Sequence, residues 1–322
     1  MRIAILDDYQ GIALSLADWS ILGQGCSIDV FNRNLSVPDE AAELLRPYDV
    51  LCTMRERMAM PRSLIDQLPN LKLITITGAK HRTLDMAAAT ERGIIVSHTK
   101  EYDDGQWGTP ELTWGLVIAS MRQMALADRR MRSGAWQTTM GVQLHGKTLG
   151  LLGLGNIGQI VAGYGHAFGM RVIAWSQNLT PEAAAAAGVT AVSKEDLFRQ
   201  SDVISIHVVL SERSRGIVGA REFSLMKPTA HLVNTSRGPI VDEASLISAL
   251  QEKRIAGAAL DVFEQEPLPA DHPLRGLDNT VLTPHLGYVT EDVMGGFYED
   301  TVEAVQSFIS GQPIRVLNPR GG

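Results

Sequence analysis

Four groups of residues have the types and spacing to do chemistry. The first is Gly153-Leu154-Gly155-Asn156-Ile157-Gly158, between the apolar run Leu149-Gly150-Leu151-Leu152 and the helix-like Gln159-Ile160-Val161-Ala162. At such a strand-to-helix junction the first glycine permits a tight turn. The second lets a pyrophosphate approach the backbone, and the third lets the helix pack close to the strand. The amides and positive end of the helix then face the anion. A further strand, Arg171-Val172-Ile173-Ala174-Trp175, follows at βαβ distance, so the turn reads as dinucleotide-binding. The other groups are Arg237, the pair Asp261 and Glu266, and His285, each just past a strand-like run. A nicotinamide partner that exchanges hydride at carbon needs a proton donor or acceptor at oxygen, and imidazole titrates in the right range. There are eight histidines, and composition does not choose among them. His285 is preferred because it directly follows Val281-Leu282-Thr283; capping of a loop is its other reading. Glu266 could orient it, and Arg237 could hold a carboxylate in bidentate fashion or form a surface ion pair.

These groups need a scaffold that brings strand ends together. Ile3-Ala4-Ile5-Leu6, Ile28-Asp29-Val30-Phe31, Val50-Leu51-Cys52-Thr53, Leu73-Ile74-Thr75-Ile76-Thr77 and Ile94-Ile95-Val96 read as five strands separated by helical segments. Continuous apolar strands of this kind belong in a parallel sheet covered on both faces. A polar stretch, 99–108, reads as a crossing between domains. Thr109-Pro110-Glu111 then suits the cap and first turn of a long helix that Gly134 ends. The second half carries strands at Val203-Ile204-Ser205-Ile206, His231-Leu232-Val233-Asn234, Ala258-Ala259-Leu260-Asp261 and Val281-Leu282-Thr283. Thr180, Ser193 and Asp242 are expected to open helices, and a last helix runs from Thr290 to about Ser310. That helix needs the first domain to bury its apolar face, so the chain is expected to cross back near Gly287. The expected fold is α/β, with two Rossmann-like open parallel-sheet domains. Residues 1–98 plus 288–322 form a discontinuous substrate domain, and residues 99–287 form the NAD(P)-binding domain.

Ligands of open parallel sheets bind beyond the carboxyl ends of strands. This places Arg55, Gly78, Ala79, Lys80, His81 and Arg82 at one edge, and Ser176, His207, Thr235, Ser236, Arg237, Asp261, Glu266 and His285 at the other. The chain has 322 residues and a formal net charge of −7, which argues against nucleic acid or an anionic membrane as partner. The apolar run at the start is too short for a signal peptide, and no run approaches membrane-spanning length. Cys26 and Cys52 read as buried thiols of a cytoplasmic protein. No Cys/His cluster has metal-ligand spacing, so no metal is expected.

Together these motifs resemble the D-isomer-specific 2-hydroxyacid dehydrogenase family over nearly the whole chain. The nucleotide loop is Gly153 to Gly158, and Leu232-Val233-Asn234-Thr235-Ser236-Arg237-Gly238 is similar to the family's arginine motif. Asp261-Val262-Phe263-Glu264-Gln265-Glu266-Pro267 and Thr283-Pro284-His285-Leu286-Gly287 are similar to its glutamate and histidine motifs. The resemblance implies hydride transfer between a nicotinamide dinucleotide and C2 of a small 2-keto or D-2-hydroxy acid. The glyoxylate, hydroxypyruvate or phosphoglycerate type is the implied range. It implies that Arg237 binds the substrate carboxylate, Glu266 holds His285 protonated, and His285 passes a proton to the keto oxygen. It implies contact of Asp261 with the nicotinamide carboxamide, backbone amides of Gly78 and Ala79 offered to the carboxylate, Arg55 beside them, and a homodimer built on the nucleotide domain. Asn156, Ile157, His207, Thr235, Ser236, His285 and Gly287 complete the implied cofactor lining.

Two features depart from the pattern. The strand ending at Trp175 leads into Ser176-Gln177-Asn178, where an acidic residue would bind the ribose 2′-OH of NAD. No Arg or Lys is there to pair with a 2′-phosphate, so NAD(H) or NADP(H) stays open with a slight lean to NAD(H). After Gly78-Ala79 comes Lys80-His81-Arg82, either a cationic rim for a second anionic group on the substrate or a solvated loop. The alternative from another class is a nucleotide-sensing, corepressor-like binding protein without turnover. The complete Arg237, Glu266 and His285 set, and the lack of an added tail after the last helix, argue for the enzyme.

Overall fold

The computed structural model describes residues 1–35, 37–100 and 105–318. It divides into two compact units, Met1–Asp104 with Thr290–Gly322, and Gly105–Val289. The first holds five strands: β1 (Arg2–Ile5), β2 (Ser27–Val30), β3 (Val50–Thr53), β4 (Leu73–Ile76) and β5 (Ile95–His98). They pair in the order β2-β1-β3-β4-β5, and every pair is parallel. β3 and β4 are buried at every position, as strands covered on both faces must be. One core gathers Leu45, Leu51, Ile65, Leu68 and Ile74. The helix Glu291–Ile309 packs on β4 and β5 and buries Val293, Met294, Phe297, Val302 and Val305. Thr290 caps it by accepting the Val293 amide at 3.4 Å, and Glu291 and Asp292 meet the positive end of its dipole.

Asp7, just past β1, sits in the left-handed region at φ 57° and is almost fully buried. One carboxylate oxygen accepts from the Tyr9 hydroxyl at 3.0 Å; the other has no partner among the described residues. Burial pushes its carboxyl up from 3.8 to about 6, against the Tyr9 bond and the Arg57 charge. A raised carboxyl penalises the fold once it ionises; the penalty grows between 3.8 and about 6 and is constant above that. Asp7→Asn is therefore expected to stabilise the chain by up to about 3 kcal/mol at pH 8, and by little near pH 4. Urea unfolding at the two pH values reads this out, and an equal effect at both would refute it.

The second unit holds β6 (Thr148–Leu152), β7 (Arg171–Trp175), β8 (Thr190–Ala191), β9 (Val203–Ile206), β10 (His231–Asn234), β11 (Gly257–Leu260) and β12 (Thr280–Leu282). The parallel order is β12-β11-β10-β9-β6-β7-β8. The order reverses between β6 and β9, which is where a doubly wound sheet opens its ligand crevice. β8 has no counterpart in the sequence reading; a two-residue edge strand carries no periodicity to see. Thr180, Ser193 and Asp242 cap helices through their side chains. Gly165 brings its helix onto the sheet, since a Cβ there would lie 2.7 Å from Leu149 Cδ2; nothing in the structure explains Gly163.

The linking helix differs from expectation in two ways. It runs Gly105–Met121, so residues 105–108 are already helical and Thr109 lies inside rather than capping it. Of the expected crossing at 99–108, residues 101–104 fall outside the described set. The helix also stops short of Gly134: Gln123 turns left-handed at φ 52° and a separate helix, Met124–Arg132, follows with no buried residue. Cys52 is buried, as expected, and its thiol is pushed up to about 12, whereas Cys26 is only half-buried. Among the described residues no helix is long and apolar enough to cross a membrane, and no three His, Cys, Asp or Glu are grouped to hold a metal ion.

Candidate active site

The glycine turn has the shape its sequence requires. Gly153 takes φ +105°, and a Cβ there would lie 2.7 Å from the His207 carbonyl oxygen. A Cβ on Gly158 would run into the Gly153 carbonyl, so the helix Asn156–Ala167 starts as close to the strand end as backbone allows. At Gly155 the Cβ position faces open space, and no side chain caps the helix. First-turn amides without side-chain partners beside a clear approach make a cradle for an anion. A pyrophosphate fits the cradle, so the dinucleotide expected from the motif has a place here. His207 follows β9; its Nε2 lies 2.9 Å from Ser205 Oγ, and burial holds its imidazole down at about 4, neutral at physiological pH. Ser176 is half-buried past β7, and Gln177 and Asn178 are exposed.

Arg237 is placed by the side chain that ends β10. Asn234 Oδ1 accepts the Ser236 amide and Asn234 Nδ2 donates to the Arg237 carbonyl, both at 3.0 Å, while Ser236 Oγ donates to the Val208 carbonyl at 2.5 Å. Arg237 Nη1 donates to the Ser236 carbonyl at 2.7 Å. Gly238 lies directly on the Phe263 backbone, with no room for a Cβ, and so brings the arginine turn against the loop that follows β11.

That loop carries Glu266. Its Oε1 accepts the Phe263 amide at 2.9 Å, and its Oε2 accepts His285 Nδ1–H at 2.6 Å. Burial pushes the Glu266 carboxyl up. The His285 hydrogen bond and charge, the Phe263 amide and the Arg237 guanidinium more than offset it and hold the group below the usual carboxylate range. With Nδ1 committed to Glu266, Nε2 is the ring atom left to exchange a proton. Both side chains are about one third exposed, 30% for His285 and 34% for Glu266, so they are open to a reactant. The Tyr288 ring stands edge-on to the imidazole at 5.8 Å.

Asp261 is fully buried and serves the histidine loop. Its Oδ1 accepts the Thr283 hydroxyl at 2.6 Å and the Leu286 amide at 2.8 Å; Oδ2 accepts the Gly287 amide at 3.0 Å. Its carbonyl accepts the His285 amide at 2.8 Å. Burial outweighs these bonds and the His285 charge, and pushes the Asp261 carboxyl up. In this structure both carboxylate oxygens are engaged by the histidine loop. His285 sits at φ 57°, a conformation that a non-glycine residue adopts only when its surroundings hold it. No local signal marked Asp261 as the brace, because its partners lie more than 20 residues downstream.

In the first unit the expected residues divide. Arg55, at φ 52°, donates its amide to Thr77 Oγ1 at 2.7 Å and lays its guanidinium against Gly78 Cα, where a Cβ would collide with Nη1. The Gly78 amide is donated to Thr99 Oγ1 at 2.8 Å. The Lys80-His81-Arg82 run does not form one rim: Lys80 and Arg82 are exposed, but His81 turns inward. Burial lowers the His81 pKa, helped by the Arg55 charge and opposed by the Glu56 charge.

Comparisons with known proteins find relatives along most of the chain. Residues 114–287 match the family model for the D-isomer specific 2-hydroxyacid dehydrogenase NAD binding domain. A glyoxylate reductase of Aeropyrum pernix is 40% identical over 265 residues, 79% of this chain and 78% of that protein. A D-3-phosphoglycerate dehydrogenase of Methanocaldococcus jannaschii is 38% identical over 277 residues, 85% of this chain but only 52% of its own length. The crystal structure of a phosphoglycerate oxidoreductase from Vibrio cholerae superposes with a TM-score of 0.89 at 35% identity, covering 97% of this chain and 99% of that one. This chain belongs to the D-isomer-specific 2-hydroxyacid dehydrogenase family of NAD(P)-dependent oxidoreductases.

Proposed function

We propose that the chain reduces a small 2-keto acid of the glyoxylate or hydroxypyruvate size to the D-2-hydroxy acid. The observation that carries this is the partly exposed His285–Glu266 pair at 2.6 Å, at the carboxyl edge of the sheet that also carries the glycine cradle and Arg237. The bound nicotinamide supplies the hydride. Arg237 pairs with the substrate carboxylate and draws charge toward the keto oxygen. His285 Nε2 gives that oxygen its proton, and ionised Glu266 stabilises the imidazolium before the transfer. In oxidation the same nitrogen takes the proton back. Arg55, the Ala79 amide, Lys80 and Arg82 are the first unit's contribution to substrate recognition, and that unit is the substrate domain.

NAD(H) is the preferred dinucleotide, supported by the lack of any Arg or Lys at 176–178; with no acid there, NADP(H) is accepted too. The chain pairs as a homodimer through the nucleotide-binding unit. The support is an exposed apolar surface of Met124, Met131, Trp136 and Met140 on and after a helix that buries nothing. The test is loss of NADH and NADPH absorbance with glyoxylate, hydroxypyruvate and phenylpyruvate, with sedimentation of the same sample. Turnover with none of the three acids would sink the enzyme reading.

A further inference from the structure

Arg237 and His285 stand on different loops, and catalysis needs them held in one register. The Asp261 carboxylate ties down one of those loops from below. A second set of ties comes from the helix Gly105–Met121, whose sequence motif Thr109-Pro110-Glu111-Leu112-Thr113 the chemistry above has not used. Thr109 Oγ1 donates to the Gly287 carbonyl at 3.0 Å. Gly287 is thus held on both sides, its amide by Asp261 Oδ2 at 3.0 Å and its carbonyl by Thr109. A Cβ on Gly287 would lie 3.0 Å from that hydroxyl.

One helical turn later, Thr113 Oγ1 bonds to the Thr109 carbonyl and to Thr235 Oγ1, both at 2.7 Å. A hydroxyl has one proton, and a carbonyl only accepts. Thr113 therefore donates to Thr109, and Thr235 donates to Thr113. Thr235 begins the turn that carries Arg237, and Gly287 ends the turn that carries His285. Thr113 is fully buried and Thr235 nearly so, so these bonds have no competition from water.

We propose that Thr109 and Thr113 are positioning residues that set the arginine and histidine loops relative to each other. They touch neither substrate nor cofactor, and they act by fixing where Nε2 of His285 stands with respect to the Arg237 guanidinium. The proposal rests on the roles given above to those two side chains. Misplacement of a proton donor by a fraction of an ångström costs rate rather than affinity, so the signature is in kcat.

The experiment compares Thr109→Val, which keeps the shape and removes the hydroxyl, with Thr109→Ser, which keeps the hydroxyl. Thr109→Val is expected to lower kcat about tenfold, with KM and NADH affinity within about twofold. Thr109→Ser should recover kcat to within about twofold. A readout that does not depend on turnover is the low-field Nδ1–H proton resonance of His285, sharp in the parent and the Ser variant and broadened in the Val variant. If Thr109→Val does not fold, Thr113→Val with Thr113→Ser gives the same reading from the other hydroxyl.

A parent-like kcat and resonance in the valine variant would overturn the inference, as would equal losses in Val and Ser variants. If the parent itself shows no keto-acid reduction, the functional reading fails; the resonance still decides whether the threonines hold the loop.

Discussion

His285→Gln is expected to lower kcat for 2-keto acid reduction about 10³-fold, with NADH affinity within about twofold. Glutamine can donate an amide hydrogen to Glu266 in place of Nδ1, so the loop and the carboxylate keep their partner. It cannot hand a proton to the keto oxygen, because its amide does not titrate. Positioned acid–base catalysis is worth roughly 10² to 10⁴ in rate, and all of that is lost here. What survives is the pairing of the carboxylate with Arg237 and the proximity of hydride to C2. Single-turnover measurement with saturating NADH isolates the step. A loss under tenfold would move the acid elsewhere, since no bulk-water donor matches a braced imidazole.

Arg237→Ala is expected to lower kcat/KM about 10³-fold, roughly 4 kcal/mol, with the greater part in KM. A hydrogen bond to a charged group is worth about 1.5–3 kcal/mol, and a guanidinium can make two to one carboxylate. Arg237→Lys should recover only part, because an ammonium lacks the planar fork. Arg237 has a second effect within the protein: its charge helps hold Glu266 ionised. Its loss therefore weakens the brace behind His285 as well. The double variant with His285→Gln should cost less than the sum of the single losses. Strict additivity would mean that the guanidinium and the imidazole act independently.

Much of the scaffold was legible because its signals are local. Apolar runs bounded by turn residues placed β3, β7, β9 and β10 at the residues where they occur, because a buried parallel strand must be apolar along its whole length. Thr180, Ser193, Asp242 and Thr290 announced their helices because a cap is a bond between residues three apart. The glycine turn was legible from its spacing between a strand and a helix; the Gly158 clash lies within the turn, whereas Gly153 is crowded by His207, 54 residues away. The helix break at Gln123 was not, since nothing in Met121 to Met124 forbids a continuous helix. His81 shows the limit at a single position. Flanked by Lys80 and Arg82, it reads as part of a cationic rim, yet its side chain is buried.

The functional set divides along the same line. Residue types and their places after strands put Arg237, Glu266 and His285 on the short list of candidates. That Glu266 Oε2 and His285 Nδ1 meet at 2.6 Å, across 19 residues, depends on how β11 and β12 pair. The engagement of the Gly78 amide by Thr99, the turn of the Asp261 carboxylate into the histidine loop, and the threonine ties from the linking helix all join residues at least 20 positions apart. Sequence determined which side chains stand at the strand ends, because strand and turn formation is a short-range matter. Tertiary structure alone decided which donor each buried acceptor would find, because a polar group taken from water must take whatever partner the packed chain brings beside it.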